Sequence, residues 1–195
     1  MESRVREYIL HELKQASDAA KSVSEDNGII QSIIKVADVC VEALRNGNTL
    51  FFAGNGGSAA DAQHFAAELV GRFYKERPGI SAYALHTDTS MLTAISNDYG
   101  FEYIFSRQLD ANGKKGDIFI ALSTSGESEN IIKALYKCSE IGITTVGLIG
   151  ANSCRMKEQC QYTLEAPAVD TPRVQEAHTI IGHTLCAAIE NQLYS

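Results

Sequence analysis

No block of lysine or arginine occurs anywhere in the 195 residues, and 17 Lys and Arg against 24 Asp and Glu leave a formal net charge of −7. Binding along a nucleic-acid backbone relies on clustered cations, which argues against a dedicated nucleic-acid surface but does not exclude a local cationic or amide-lined pocket for one phosphate. No apolar run approaches the roughly 20 residues that a membrane span needs. The opening MESRVREYILHELKQ carries charges throughout and has no apolar h-region, so no signal peptide is expected. The five cysteines (Cys40, Cys138, Cys154, Cys160, Cys186) contain no C-x-x-C pair. Without an export signal they read as reduced thiols, which makes the cytoplasm the expected compartment. Repeats and low-complexity linkers are missing too. At 45% hydrophobic and 21% charged residues, the composition is that of an ordinary globular chain.

What is present begins with two helical segments. Val5, Ile9, Leu13, Ala16, Ala20 and Val23 step by threes and fours, and so do Ile30, Ile33, Ala37, Cys40 and Leu44. The intervening SEDNG supplies capping and turn residues, so a helical hairpin is expected, ending near Asn46-Gly47. Ile29, Ile34, Val36 and Val41 add apolar surface outside the second stripe, and a neighbouring subunit is the simplest cover for it. From Thr49 onward, short apolar runs (TLFFAG, ISAYALH, DIFIALS, TTVGLIG, QYTLEA) alternate with helical stretches near 58–74, 89–112, 127–141 and 153–159. A last helix spans about 172–194. The alternation predicts an α/β fold, a three-layer α/β/α sandwich on a five-stranded parallel sheet. The expected division is an N-terminal helical arm over 1–47 and one compact unit over 48–195.

Ligands of an open parallel sheet bind beyond the carboxyl ends of its strands. Two loops there are chemically loaded. GNGGS (Gly54 to Ser58) lets backbone approach a ligand, with Ser58 expected to cap the following helix. STSGES (Ser123 to Ser128) brings four hydroxyls to a helix N-terminus, which suits an anion. No Gly-Lys-Ser/Thr follows the first loop, so it is not a Walker A motif. GNGGSA also fails G-x-G-x-x-G, and the second strand ends at His86, not at an acidic residue, which argues against a dinucleotide. A sugar phosphate is the ligand expected.

His64 and Glu68 lie one turn apart on one helix face, where they could hold a divalent metal, or the glutamate could act as a base. On the last helix His178 falls within the apolar stripe and reads as a satisfied core histidine. His183 points to the opposite side and is free to serve a site or an interface. Gln175 lies at an intermediate angle. It stands eight residues from His183, about 12 Å of helix rise, so both reach one metal only at full stretch.

These residues resemble the sugar isomerase (SIS) domain family, and within it the phosphoheptose isomerases. The likeness runs through GNGGSAADAQHFAAEL, Arg77 to Gly79, TDTSMLTAISNDYGFEYIFSRQ, LSTSGES and DTPRVQEAH, essentially the whole chain. The resemblance implies isomerisation of sedoheptulose 7-phosphate to an aldose, feeding nucleotide-activated heptose for lipopolysaccharide or another surface polysaccharide. It implies zinc, one ion per site, on His64, Glu68, Gln175 and His183, with Glu68 and His183 as the acid–base pair. The implied substrate shell is Asn55, Gly56, Gly57, Ser58, Glu68, Asn97, Asp98, Ser123, Thr124, Ser125, Ser128 and Gln175. A homotetramer with sites at subunit interfaces is implied as well, with no nucleic-acid or membrane partner. Three features depart from the family pattern: His86 in place of Thr, Ser96 in place of Gly, and ANSCRMKEQC without its glycine cluster. A sister branch keeps the GNG loop and helical arm but binds the replication initiator and lacks the full acid–base set. Glu68 and His183 together favour the enzyme.

Overall fold

The computed structural model describes residues 2–195. Two long helices lead, α1 (Glu2–Glu25) and α2 (Asn27–Arg45), parted by Asp26 alone. The Asp26 carboxylate caps α2, accepting from Gly28 N at 2.7 Å and Ile29 N at 3.1 Å. The alternating part follows as β1 (Leu50–Ala53), α3 (Gly57–Val70), β2 (Ala82–Ala84), α4 (Thr89–Tyr99), α5 (Ser106–Asn112), β3 (Ile118–Leu122), α6 (Glu129–Ile141), β4 (Thr144–Ile149), α7 (Arg155–Gln159), β5 (Tyr162–Glu165) and α8 (Thr171–Leu193).

The five strands form one parallel sheet in the order β2-β1-β3-β4-β5, with Leu50 beside Ile118 and Ile118 beside Thr144. Successive side chains leave a strand on opposite faces, so each central strand feeds two cores. Leu50, Phe52, Ile118, Ile120 and Leu122 pack with residues of α2, α3 and α8. Phe51, Phe119 and Ala121 pack with residues of α5, α6 and α7. The expected three-layer sandwich is present. Among the described residues no helix is long and apolar enough to cross a membrane.

Two expectations need correction. The single helix expected over 89–112 is broken at Gly100, whose φ of +103° no L side chain adopts readily, and a 3-10 turn at Phe101–Tyr103 redirects the chain. The apolar periodicity continues across that break and hides it. The second concerns His178. It lies in the core, but it is not satisfied: neither ring nitrogen has a hydrogen-bond partner. Burial pushes its pKa down to about 4; the backbone of Ile149, whose carbonyl already accepts from Ala166 at 2.8 Å, opposes this only in part.

A histidine kept neutral by burial makes stability depend on pH with a definite sign. Between pH 6.5 and about 4 the unfolded chain binds the proton and the folded chain does not. Stability contributed by the neutral ring is therefore complete above pH 6.5 and lost on acidification towards 4, by up to about 3 kcal/mol. Urea denaturation at several pH values should show this slope in the parent and a shallower one in His178→Phe. Identical slopes would assign the pH dependence to other groups.

Candidate active site

Beyond the carboxyl ends of β1 and β3 the two loaded loops meet. Asn55 and Asn130 exchange side-chain amide hydrogen bonds, each 2.9 Å, so the loop after β1 is tied to the first turn of α6. Asn130 is buried and also accepts from Ile131 N at 2.9 Å. In the second loop Ser123 Oγ lies 3.1 Å from Ser128 Oγ and 3.4 Å from Ser125 Oγ, and it accepts from Gly126 N at 3.1 Å. Three hydroxyls thus converge beside the N-terminus of a thirteen-residue helix, with Thr124 half-buried next to them. Hydroxyls and helix-end amides of this kind suit a phosphate.

Ser58 does not cap α3. The N-cap position falls two residues earlier, on Gly56 (φ +56°), and Ser58 is buried in the first turn. Side chains are excluded here for two reasons. A Cβ on Gly54 would strike the Ser58 carbonyl at 2.5 Å, and one on Gly57 would strike the Gln175 amide. Gly54 and Gly57 are glycine because the helix start and the Gln175 side chain fill the space a Cβ would need, and Gly56 because of its positive φ.

From that point α3 and α8 run side by side in the same direction. Gly57 meets Gln175, Asp61 accepts a hydrogen bond from Thr179 Oγ1 at 3.0 Å, and His64 meets His183. Each rung is about one helical turn further along. Close approach is possible because residue 182 is glycine, where any Cβ would enter the Phe65 ring. His64 Nε2 then lies 2.9 Å from Glu68 Oε1 and 3.1 Å from His183 Nε2. Ligand atoms of these three residues all fall within 4.8 Å of one another. His64 is half-exposed, so the cluster opens outward, while the Phe65 and Phe73 rings each lie 5.9 Å from the His183 ring. Beside the cluster, burial raises the Asp61 carboxyl, against the lowering effect of the Thr179 bond and of the two imidazoles.

The sequence and the fold are similar to those of known proteins. A family model described as the SIS domain matches residues 3–150. The phosphoheptose isomerase of Aneurinibacillus thermoaerophilus is 50% identical over 190 residues, 97% of this chain and 96% of the relative. The chain belongs to the SIS-domain family, on its phosphoheptose isomerase branch. A second such enzyme, from Burkholderia pseudomallei (strain K96243), is 45% identical across 100% of this chain and 98% of its own. A solved phosphoheptose isomerase from Francisella tularensis superposes with a TM-score of 0.85 at 31% identity, covering 97% of each chain.

The structure brings together three of the four metal ligands expected from this family likeness, His64, Glu68 and His183. Gln175 is not with them. Both it and His183 belong to the regular part of α8, so the rise between them separates its amide, held against Gly57, from the cluster. Asn97 and Asp98 sit on α4 and are exposed; the one side-chain hydrogen bond of each is to the other, at 2.8 Å. Sequence reasoning missed Asn130 and Gly182. Neither carries a local signal, since each matters only through a residue far away in the chain.

Phe65 is fully buried and meets Phe52 edge-on at 6.4 Å, which leaves it little room to yield. Gly182→Ala should therefore overpack the α3–α8 contact. The expected net loss is about 1–2 kcal/mol, because the cost of strain exceeds alanine's better helix propensity. Urea denaturation of the variant checks this, and a stability equal to or above the parent's would show that the helices have slack.

Proposed function

We propose that this chain converts sedoheptulose 7-phosphate to D-glycero-D-manno-heptose 7-phosphate, an aldose–ketose isomerisation that begins the synthesis of nucleotide-activated heptose for lipopolysaccharide or another surface polysaccharide. The observation that carries this reading is the His64–Glu68–His183 cluster, set on the same helix pair whose other end meets the hydroxyl-lined loops. Gly57 and His64 are seven residues apart, about 10 Å along α3. An extended seven-carbon chain spans about 8 Å at ordinary bond lengths. The phosphate can thus sit at Ser123, Thr124, Ser125 and Ser128 while C1 and C2 lie at the cluster. Asn55, Gly56, Gly57, Ser58 and Gln175 line the way between.

The residues of the cluster fit zinc. Two donors each about 2.05 Å from a tetrahedral ion are about 3.3 Å apart, close to the 2.9 and 3.1 Å found here. His64, Glu68 and His183 would hold the ion, and the chemistry it supplies when bound is Lewis-acid polarisation of the C1 and C2 oxygens. Isomerisation moves a proton between C1 and C2 through an enediol, so it needs a base near both carbons and an acid for the oxygens. Glu68 and His183 are that proton-transfer pair. Glu68 would be among the residues that hold the ion, and as a free carboxylate it is the group able to take a proton from carbon. The hydroxyls of Ser123, Thr124, Ser125 and Ser128 are neutral donors, each worth roughly 0.5–1.5 kcal/mol to a bound phosphate.

Glu68→Gln and His183→Gln should each reduce turnover of sedoheptulose 7-phosphate by at least ~100-fold in a folded protein, the lower end for general acid–base catalysis. A chelator should abolish wild-type activity, and added zinc should restore it. Turnover that survives both the substitutions and the chelator would remove the cluster from the mechanism.

The same reading makes the enzyme a homo-oligomer, most simply a tetramer. Val5, Tyr8, Ile9 and Leu13 are all at least half-exposed along one stripe of α1, and Ile30 and Ile34 form an exposed pair one turn apart on α2. Ile29 and Ile33 are buried against the sheet's helical layer, so the outward pair needs a different cover. Burial of such surface is favourable by about 25 cal/mol per Å². Ile9→Glu with Leu13→Glu should convert the assembly to monomers and remove activity with it, as read by sedimentation and assay on one sample. A fully active wild-type monomer at assay concentration would end this part of the proposal.

A further inference from the structure

Beyond the end of α3 the chain folds back on itself around one buried ion pair. Arg77 and Glu190 side chains are 1% and 2% exposed, with Arg77 Nε 3.0 Å from Glu190 Oε1. Each spends its remaining bonds on backbone. The Glu190 carboxylate accepts from Phe73 N at 3.0 Å, Tyr74 N at 2.7 Å and Lys75 N at 3.0 Å. The Arg77 guanidinium donates to the carbonyls of Glu68 at 3.0 Å and Leu69 at 2.7 Å, and to Gly71 and Pro78 at 3.1 Å each. The last carbonyls of a helix have no partner within it, so Arg77 is the C-terminal cap of α3. Burial alone would raise the Glu190 carboxyl, but the three N–H groups and the guanidinium outweigh it and draw it down to about 2.

The clamp engages both helices that carry the cluster: Glu190 is part of α8, and Arg77, in the segment after α3, binds the last carbonyls of α3. Arg77 holds the backbone oxygen of Glu68 itself. Glu190 follows His183 by seven residues on α8, two turns, so the two side chains leave nearly the same face, within about 20°. A third link is direct: the Phe73 whose N–H Glu190 accepts places its ring 5.9 Å from the His183 imidazole. These bonds fall on α8, on the last turn of α3 and on the segment that follows it, and none falls on the loops at Ser123 or Asn55.

We propose that Arg77 and Glu190 are positioning residues, a clamp that fixes the Glu68 carboxylate and the His183 imidazole at the spacing a bound divalent metal and the proton transfer require. This rests on the reading of His64, Glu68 and His183 as the working site. The clamp touches neither the reacting carbons nor the phosphate, so its loss should lower kcat and metal affinity while leaving KM nearly alone.

The test uses Arg77→Lys, which keeps the buried charge but loses the forked reach to two carbonyls, and the double variant Arg77→Met/Glu190→Gln. In the double variant no buried charge is left unpaired, so thermal stability should largely recover. Cobalt(II) titrated alone into metal-stripped protein, followed by its visible absorption, reads the cluster without any turnover. Both variants should bind cobalt ~10–100-fold more weakly, the range for outer-shell substitutions at metal sites. Their kcat should drop about tenfold or more with KM within about twofold of the parent, the pattern of an interaction made only in the transition state. A folded double variant that matches the parent in cobalt affinity and kcat, whatever its melting temperature, would show that the pair does not position the cluster. If the double variant fails to fold, Arg77→Lys is judged by the same two readouts. Absence of isomerase turnover in the wild type would overturn the proposed activity, and the cobalt titration would then judge the clamp by itself.

Discussion

The contact between α3 and α8 at Phe65 and Gly182 is the constraint on which the rest of the site depends. At this level the two helices are far apart in sequence, 118 residues between Asp61 and Thr179, yet their backbones come close enough for side chains on both to share one point. Helices normally lie 8–10 Å apart according to the side chains between them, and a glycine at the crossing takes the short end of that range. Phe65 fills the space Gly182 leaves, and its ring also faces His183. One packing decision therefore sets both the stability of the helix pair and the separation of His64 from His183.

The parallel direction of the pair has a second consequence. Its two N-terminal ends lie at the carboxyl ends of the strands, where Gly57 and Gln175 meet, and its further turns carry the imidazoles and Glu68 away from those strand ends. The elongated sugar phosphate proposed as substrate would lie along the helices, with neutral donors at one end and ionisable groups at the other. That division suits an acidic protein. The acidic flank of the hydroxyl loop is itself neutralised locally: Glu127 accepts from Arg155 N at 2.9 Å, and Glu129 pairs with the Arg155 guanidinium at 2.7 Å.

The buried polar groups divide into two kinds. Asn130, Arg77 and Glu190 are fully engaged in hydrogen bonds, and each joins segments that the site needs held together. His178 has no such partner and stays in the core as a neutral ring. Buried polar groups with complete partners rigidify what they touch, and one without them is a standing cost.

The sequence by itself determined the features that depend on neighbours in the chain. Alternation of short apolar runs with helical stretches specified a parallel α/β sandwich, and i, i+4 spacing placed His64 with Glu68 on one face. Periodicity on the last helix set His183 apart from the packing stripe, because the 3.6-residue repeat is a local property that single residues report directly. The strand order, the docking of α8 on α3, the pairing of Asn55 with Asn130, the seat of Gln175 against Gly57 and the Arg77–Glu190 clamp were decided only by the tertiary structure. Each of these joins residues with no regular spacing between them. Their distances follow from how helices and strands pack around two shared cores, and that packing depends on the fit of many side chains at once.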